Sequence, residues 1–377
     1  MTEKIARFFR EQSPATPCLV IDLDVVADNY AKLAGALPDS KIFYAVKANP
    51  APEILRLLVS LGSSFDTASV PEIQDCLAAG ATPDRISFGN TIKKASDIAR
   101  AHALGVRLYA FDSIEELEKI AEHAPGSRVF CRILTSGEGA DWPLSRKFGC
   151  EPEMARDLLL KAAGMNVVPY GISFHVGSQQ RDVGQWDLAL ATTAAIFRDL
   201  EEKGVVLRMV NMGGGFPTRY LRDVPTSQQY GEAIDAALRT HFGNRIPETI
   251  IEPGRGMVGN AGIIQSEVVL ISRKSANDDK RWVYLDIGKF GGLAETMDES
   301  IRYPIVTERD GDGESAPVIL AGPTCDSADV LYEKSPYSLP TSLKIGDRVS
   351  ILATGAYTTT YSAVNFNGFA PLSAYYI

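Results

Sequence analysis

Long apolar runs are absent from this chain. None approaches the roughly 18 residues of a membrane-spanning helix. The opening stretch MTEKIARFFREQSP lacks the apolar core of a secretory leader. Cysteine is scarce. Cys18, Cys76, Cys131, Cys150 and Cys325 are odd in number, widely spaced and without a CxxC pair. That pattern excludes a zinc ribbon and a disulfide framework, and it fits a reducing cytoplasm. Positive charge is in deficit, with a net charge of −9 and a pI near 5.1. Such a surface repels phosphates, so no nucleic-acid partner is expected, and none at a membrane. It favours solubility and weakly attracts a cationic ligand. Low-complexity segments and short-period repeats are also missing.

What is present is an alternation. The 377 residues exceed what one core usually serves, so two domains are expected. A hydrophobic content of 45% and a charged content of 23% are ordinary for a soluble enzyme. After a short strand at Pro17–Leu23 comes a first helix over Asp24–Leu37, with Asp24 placed to cap it. Strand patterns then recur at Ile42–Val46, Ser64–Ala68, Arg85–Gly89, Arg107–Phe111, Arg128–Leu134, Tyr170–His175, Val206–Met212 and Thr249–Glu252. Helical patterns lie between them, among them Pro71–Ala79, Ala95–Leu104, Ile114–His123, Glu151–Ala163, Trp186–Lys203 and Tyr230–Phe242. This points to a (β/α)8 barrel over residues 24–259, with a doubly wound open sheet as the alternative. Beyond Gly259 the pattern becomes β-like, at Gly262–Ile271, Arg281–Ile287, Pro317–Ala321 and Arg348–Thr354. A second, all-β domain is expected from residues 260–377 together with residues 1–23.

Chemistry collects at strand ends. Lys47 closes the apolar run of KIFYAVKANP, and Asn49-Pro50 then breaks it. Two readings are open: a lysine that snorkels out of a strand, or a desolvated amine suited to a Schiff base. The seventh strand ends in Gly213, Gly214 and Gly215, whose bare N–H groups suit an anion, although a triple glycine also marks a tight turn. The eighth ends in Glu252, Gly254 and Arg255, and barrel enzymes often bind phosphate beyond strands seven and eight. Glu252 either pairs with a base or keeps a pyridine nitrogen protonated. His175, at the end of strand six, is either structural or a ring stacked on a flat ligand. Ser178 either caps a turn or donates to a phosphate. Cys325 and Asp326 follow an apolar run; they combine a proton donor with an anionic receptor, or are a buried thiol and a turn residue.

Jointly, YAVKAN, FDTAS, SFHVGS, GGGFP, EPGR, GPTCDSADV and GAYTTT…FNGF resemble the ornithine/diaminopimelate decarboxylase family, pyridoxal 5'-phosphate (PLP) enzymes with an alanine-racemase-like barrel. The motifs run from Lys47 to Phe369 in the family's order, and GPTCD is similar to its ornithine decarboxylase branch. The resemblance implies that Lys47 joins covalently to PLP, with Asp66, Glu72 and Arg132 beside it and His175 stacked on the ring. It implies that Ser178, Gly213, Gly214, Gly215, Gly254, Arg255 and Tyr357 hold the phosphate, and that Glu252 meets the pyridine nitrogen. Cys325 would return a proton to the substrate carbon and Asp326 would receive the distal ammonium, both acting from the other subunit of a homodimer. The implied reaction is decarboxylation of a basic L-amino acid, L-ornithine to putrescine, with L-lysine to cadaverine as a further activity.

The chain also departs from the family. Where animal-type ornithine decarboxylases have a tyrosine and a Tyr-Asp pair, this chain has Phe290, Asp298 and Glu299. Phe290 offers no phenolic hydrogen bond. Glu299 extends a carboxylate by one methylene, which makes it the expected determinant of the ornithine–lysine choice, at about 1–3 kcal/mol. Rivals are a diaminopimelate or arginine decarboxylase or a racemase on the same fold, or a non-catalytic homologue that regulates polyamine metabolism. Joint retention of Lys47, Glu252, Arg255, Cys325 and Asp326 argues against the last.

Overall fold

The computed structural model describes residues 1–142 and 147–377. The chain forms two compact units. One comprises Ala27–Pro217 and Val224–Met257; the other comprises Met1–Val26, Thr218–Asp223 and Val258–Ile377.

In the first unit eight parallel strands close a barrel: β1 Ser40–Ala45, β2 Ser64–Thr67, β3 Ile86–Phe88, β4 Leu108–Phe111, β5 Arg128–Arg132, β6 Val168–Ser173, β7 Met209–Asn211 and β8 Glu248–Ile251. Closure is made by β8 on β1, where Thr249 registers with Ser40 and Ile251 with Ile42. This excludes the open sheet. All eight expected strands are present, each shifted or trimmed by a few residues. The largest trim is at β7, where only Met209–Asn211 pairs with both neighbours and Val206 is exposed.

The barrel interior is filled by Phe43, Leu108, Ala110, Phe130, Met209 and Ile250, with Tyr170 packed against them. Each large apolar side chain buried there contributes about 1.5–3 kcal/mol. The helices start where polar residues catch free N–H groups. Ser69 and Ser113 accept from the amides of Glu72 and Glu116, and Thr226 with Gln229 forms a reciprocal capping box. The first long helix runs over Leu23–Ala36, and its cap differs from expectation. Asp22, not Asp24, does the capping: its Oδ1 accepts the Asp24 N–H at 3.1 Å. The helix begins one residue earlier than the apolar pattern indicated, so the side chain ahead of it takes the office.

The second unit is an eight-stranded sheet. Its path runs Ile305–Thr307, Arg348–Leu352, Gly262–Ser272, Arg281–Leu285, Ser315–Ala321 and Val330–Pro340. Cys18–Ile21 pairs antiparallel with Gly262–Gln265 and parallel with Ser373–Tyr376. Ile305–Thr307 and Ser373–Tyr376 were not expected as strands, and two further elements are new. Glu3–Gln12 is a helix that buries only Ile5 and Phe9, four apart on one face. Val330–Pro340 is a strand despite Glu333, Lys334 and Pro336. It carries a bulge, for Tyr332 faces Leu320 while Tyr337 faces Val318. Among the described residues no helix is long and apolar enough to cross a membrane, and no group of three or more His, Cys, Asp or Glu is placed to hold a metal.

Candidate active site

The barrel unit gathers one group of the expected residues at its C-terminal mouth. Lys47 sits in the turn Val46–Ala48 directly after β1, and its side chain is exposed. The turn is held because the Tyr44 hydroxyl donates to the Asn49 carbonyl at 2.9 Å and Asn49 Oδ1 accepts the Ala51 N–H at 3.2 Å. Asp66 lies near the end of β2, is 7% exposed and accepts the Ser87 hydroxyl at 3.1 Å. Burial raises its pKa well above the usual carboxylate range; Glu252 and Glu72 push the same way, and Lys47 opposes them. Glu72 chiefly closes a helix start, for its Oε2 accepts the Ala68 N–H at 2.6 Å. Arg132 closes β5. Burial lowers its guanidinium, against the pull of Glu252, Asp112 and Asp66.

His175 follows β6. Its Nδ1 accepts the Gly177 N–H at 3.0 Å, which leaves the ring proton on Nε2. Burial, with the neighbouring Arg132 and Lys47 cations, holds it well below the usual imidazole range. The ring is therefore held uncharged, a flat face rather than a further cation.

The glycine run after β7 is packed between the ends of β6 and β8. Gly213 and Gly215 have φ of +64° and +102°. A Cβ at Gly213 would lie 2.1 Å from the Phe174 carbonyl, and one at Gly214 would lie 2.6 Å from the Glu252 carbonyl and 3.1 Å from His175 Nε2. Only glycine fits, and the loop presents backbone rather than side chains. Arg255 is 4% exposed and donates from Nη2 to Ser178 Oγ at 3.3 Å. Gly254 is buried between Glu252 and Arg255 and accepts the Met257 N–H.

Sequence reasoning missed Asn211. This residue is 1% exposed; its Nδ2 donates to Glu252 Oε1, and its Oδ1 accepts the Gly213 N–H at 2.9 Å. It thereby aims the Glu252 carboxylate and locks the glycine loop with one side chain. Its position two residues before the glycine run was the only available signal.

The β-rich unit holds the second group, Phe290, Glu299, Cys325, Asp326 and Tyr357. Phe290 meets Phe366 in a tilted contact, with centroids 5.0 Å apart. Both line a cavity of about 270 Å³ with Pro323, Thr324 and Phe369. Cys325 is the one exposed thiol of the five, and its N–H donates to Asn367 Oδ1 at 2.9 Å. Asp326 is also exposed, and its Oδ1 accepts the Ala328 N–H at 2.8 Å. Tyr357 takes a left-handed backbone, φ +55°.

Glu299 is engaged by neighbouring backbone. Its Oε1 accepts the N–H groups of Glu333 and Lys334 at 2.8 and 2.6 Å, and its Oε2 accepts that of Ser335 at 3.1 Å. These are the amides that the bulge opposite Ile319 leaves outside the ladder. The carboxylate is thus committed to backbone donors that would otherwise be unsatisfied. It clamps the β-strand.

Comparison with known proteins agrees with this geometry. Residues 23–259 match the family described as pyridoxal-dependent decarboxylase, pyridoxal binding domain. The lysine/ornithine decarboxylase of Selenomonas ruminantium is 35% identical over 374 residues, covering 98% of this chain and 91% of that one. The crystal structure of lysine/ornithine decarboxylase from Vibrio vulnificus complexed with putrescine is 31% identical, with a TM-score of 0.88 over 99% of this chain and 97% of its own. The arginine decarboxylase of Paramecium bursaria Chlorella virus is 28% identical, with a TM-score of 0.91 over the full length of both chains.

Proposed function

The chain belongs to the pyridoxal-dependent decarboxylase family, and from that premise we propose that it decarboxylates a basic L-amino acid. L-ornithine, giving putrescine, is the foremost substrate, and L-lysine, giving cadaverine, the second. The observation that carries the proposal is the barrel mouth, where an exposed Lys47 amine shares its electrostatic surroundings with Asp66, Arg132, neutral His175 and a bare-backbone glycine loop. The names of the relatives support the choice of a dibasic substrate; the arginine decarboxylase shares the fold equally, so fold alone does not select it.

These residues fit PLP. A cradle that any Cβ would fill suits a phosphate, and the buried Arg255 guanidinium at Ser178 supplies fixed positive charge beside it. When bound, PLP supplies the electron sink for the electrons left on the substrate carbon when CO2 departs. Lys47 holds the group through its amine. Glu252, aimed by Asn211, holds a proton at the pyridine nitrogen. His175, held neutral, would meet the ring without repelling that charge. The N–H groups of Gly213–Gly215, with Ser178, Arg255 and Gly254, would hold the phosphate. Asp326 pairs with the distal ammonium, which a partly dry pocket strengthens. Cys325 Sγ delivers a proton to the carbon that lost CO2.

Exposure of Cys325 and Asp326 on the single chain supports a homodimer in which each subunit completes its partner's site. Mixing Lys47→Ala with Cys325→Ala chains tests this: random re-pairing restores about one quarter of the activity if sites are shared, and none if each chain is self-sufficient. Five thiols without a disulfide support a reducing compartment such as the cytoplasm. The function itself is tested by supplying L-ornithine, L-lysine, L-arginine and meso-diaminopimelate separately to PLP-loaded protein and measuring CO2 and amine. Release from ornithine above lysine, with the other two near background, is the expected result. Release only from arginine or meso-diaminopimelate would replace the substrate assignment, and release from none would move the function to a racemase.

A further inference from the structure

We propose that Asp329 is the positioning residue for Cys325. Asp329 lies in the β-rich unit, four residues beyond Cys325, and is 2% exposed. Its Oδ1 accepts the Lys289 N–H at 2.8 Å. Its Oδ2 accepts the Thr324 N–H at 3.2 Å and the Thr324 hydroxyl at 2.8 Å. The same residue's N–H donates to the Asp326 carbonyl at 3.0 Å, and its carbonyl accepts the Gly322 N–H at 2.8 Å. One side chain therefore joins the segment bearing Phe290 to the segment bearing Cys325, and its backbone closes the turn between them.

Two glycines are shaped around this carboxylate. A Cβ at Gly288 would lie 2.1 Å from Asp329 Oδ1, and one at Gly322 would lie 2.3 Å from Oδ2. Neither glycine has positive φ, so their backbones do not require glycine; the room for the carboxylate does. Asn367 Oδ1 holds the Cys325 N–H from the far side. Thr324 and Cys325 are thus fixed through both their amides, while the thiol itself stays exposed. A proton donor must stand within hydrogen-bond reach of the accepting carbon, and a small displacement costs rate. The inference rests on the reading of Cys325 as that donor.

The test is a double-variant comparison on the PLP-loaded enzyme. Asp329→Asn keeps the shape but turns an amide NH2 toward N–H donors. It is expected to lower kcat about 10- to 100-fold with KM little changed. In the Cys325→Ala background the same substitution is expected to have no further effect on kcat, because Asp329 acts through the thiol. As a readout independent of turnover, iodoacetamide should alkylate Cys325 at least about threefold faster in Asp329→Asn, since a freed loop no longer fixes the thiol. The other four thiols are buried and silent. Thr324→Val, which removes one of the three contacts, gives the same changes on a smaller scale if Asp329→Asn folds poorly. Unchanged kcat and alkylation, or a full additional loss in the Cys325→Ala background, overturns the inference. Full activity of Cys325→Ala alone would instead remove the donor reading beneath it.

Discussion

The barrel mouth and the loops of the β-rich unit hold their candidate residues by opposite means. At the mouth, position comes from strand ends, and charge is tuned by burial and by neighbours: Asp66 is driven up by desolvation and Glu252, His175 down by desolvation and two cations. In the β-rich unit Cys325 and Asp326 are exposed, and what fixes them is the capture of irregular backbone by Asp329 and Asn367. Glu299 does the same for the bulged strand. The first arrangement sets protonation states; the second sets distances. Substitutions should therefore disturb chemistry and electrostatics in the barrel, but geometry and proton delivery in the loops.

The largest expected effect breaks the barrel side. Lys47→Ala should lower kcat by about 10³-fold or more, some 4 kcal/mol, when CO2 release is followed with the best substrate. Cys325→Ala comes next, at about 10²-fold or more in kcat with KM little altered; an equal rise in KM would make it a binding residue instead. Asn211→Ala removes the hydrogen bond that aims Glu252 and is expected to cost about 10- to 100-fold in kcat/KM, the 1.5–3 kcal/mol of a bond to a charged group. A full-rate Asn211→Ala would mean that Glu252 needs no aiming.

Asp66 sharpens the electrostatic half. Its folded-state pKa is raised, so its contribution to stability is complete at acid pH and is lost as pH rises through the folded value. Denaturant unfolding of the apoprotein across pH should show that decline, and Asp66→Asn should flatten it. The smallest effect is assigned to Glu299→Asp. The shorter carboxylate cannot reach all three amides of the bulge, and a loss of about 1–3 kcal/mol in stability is expected, with the ornithine-to-lysine ratio of kcat/KM unmoved. A roughly tenfold shift of that ratio would return Glu299 to substrate selection.

Why some of this was legible in sequence and some was not follows from the same contrast. Apolar runs that end in a reactive residue announce a barrel strand and its mouth together, as at Lys47 and Glu252. Three adjacent glycines announce backbone exposed on purpose. A side chain that serves backbone amides leaves no such mark. Asp22 caps a helix from two residues ahead of the periodic stretch. That Glu299 serves the bulge at 333–336 is not visible in sequence, because Glu333, Lys334 and Pro336 disguise the strand that contains it. Asp329 lies in the motif GPTCDSADV, yet nothing in its spacing tells that its carboxylate points back at Thr324 and Lys289.

Covalent trapping at Lys47 tests the central claim most directly. PLP-loaded protein would be reduced with borohydride, digested and its peptides weighed. The account predicts that the reduced pyridoxyl phosphate mass falls on the peptide containing Lys47, and that Lys47→Ala protein carries none. A mass on another lysine, or none on the unsubstituted chain with PLP bound, would contradict it.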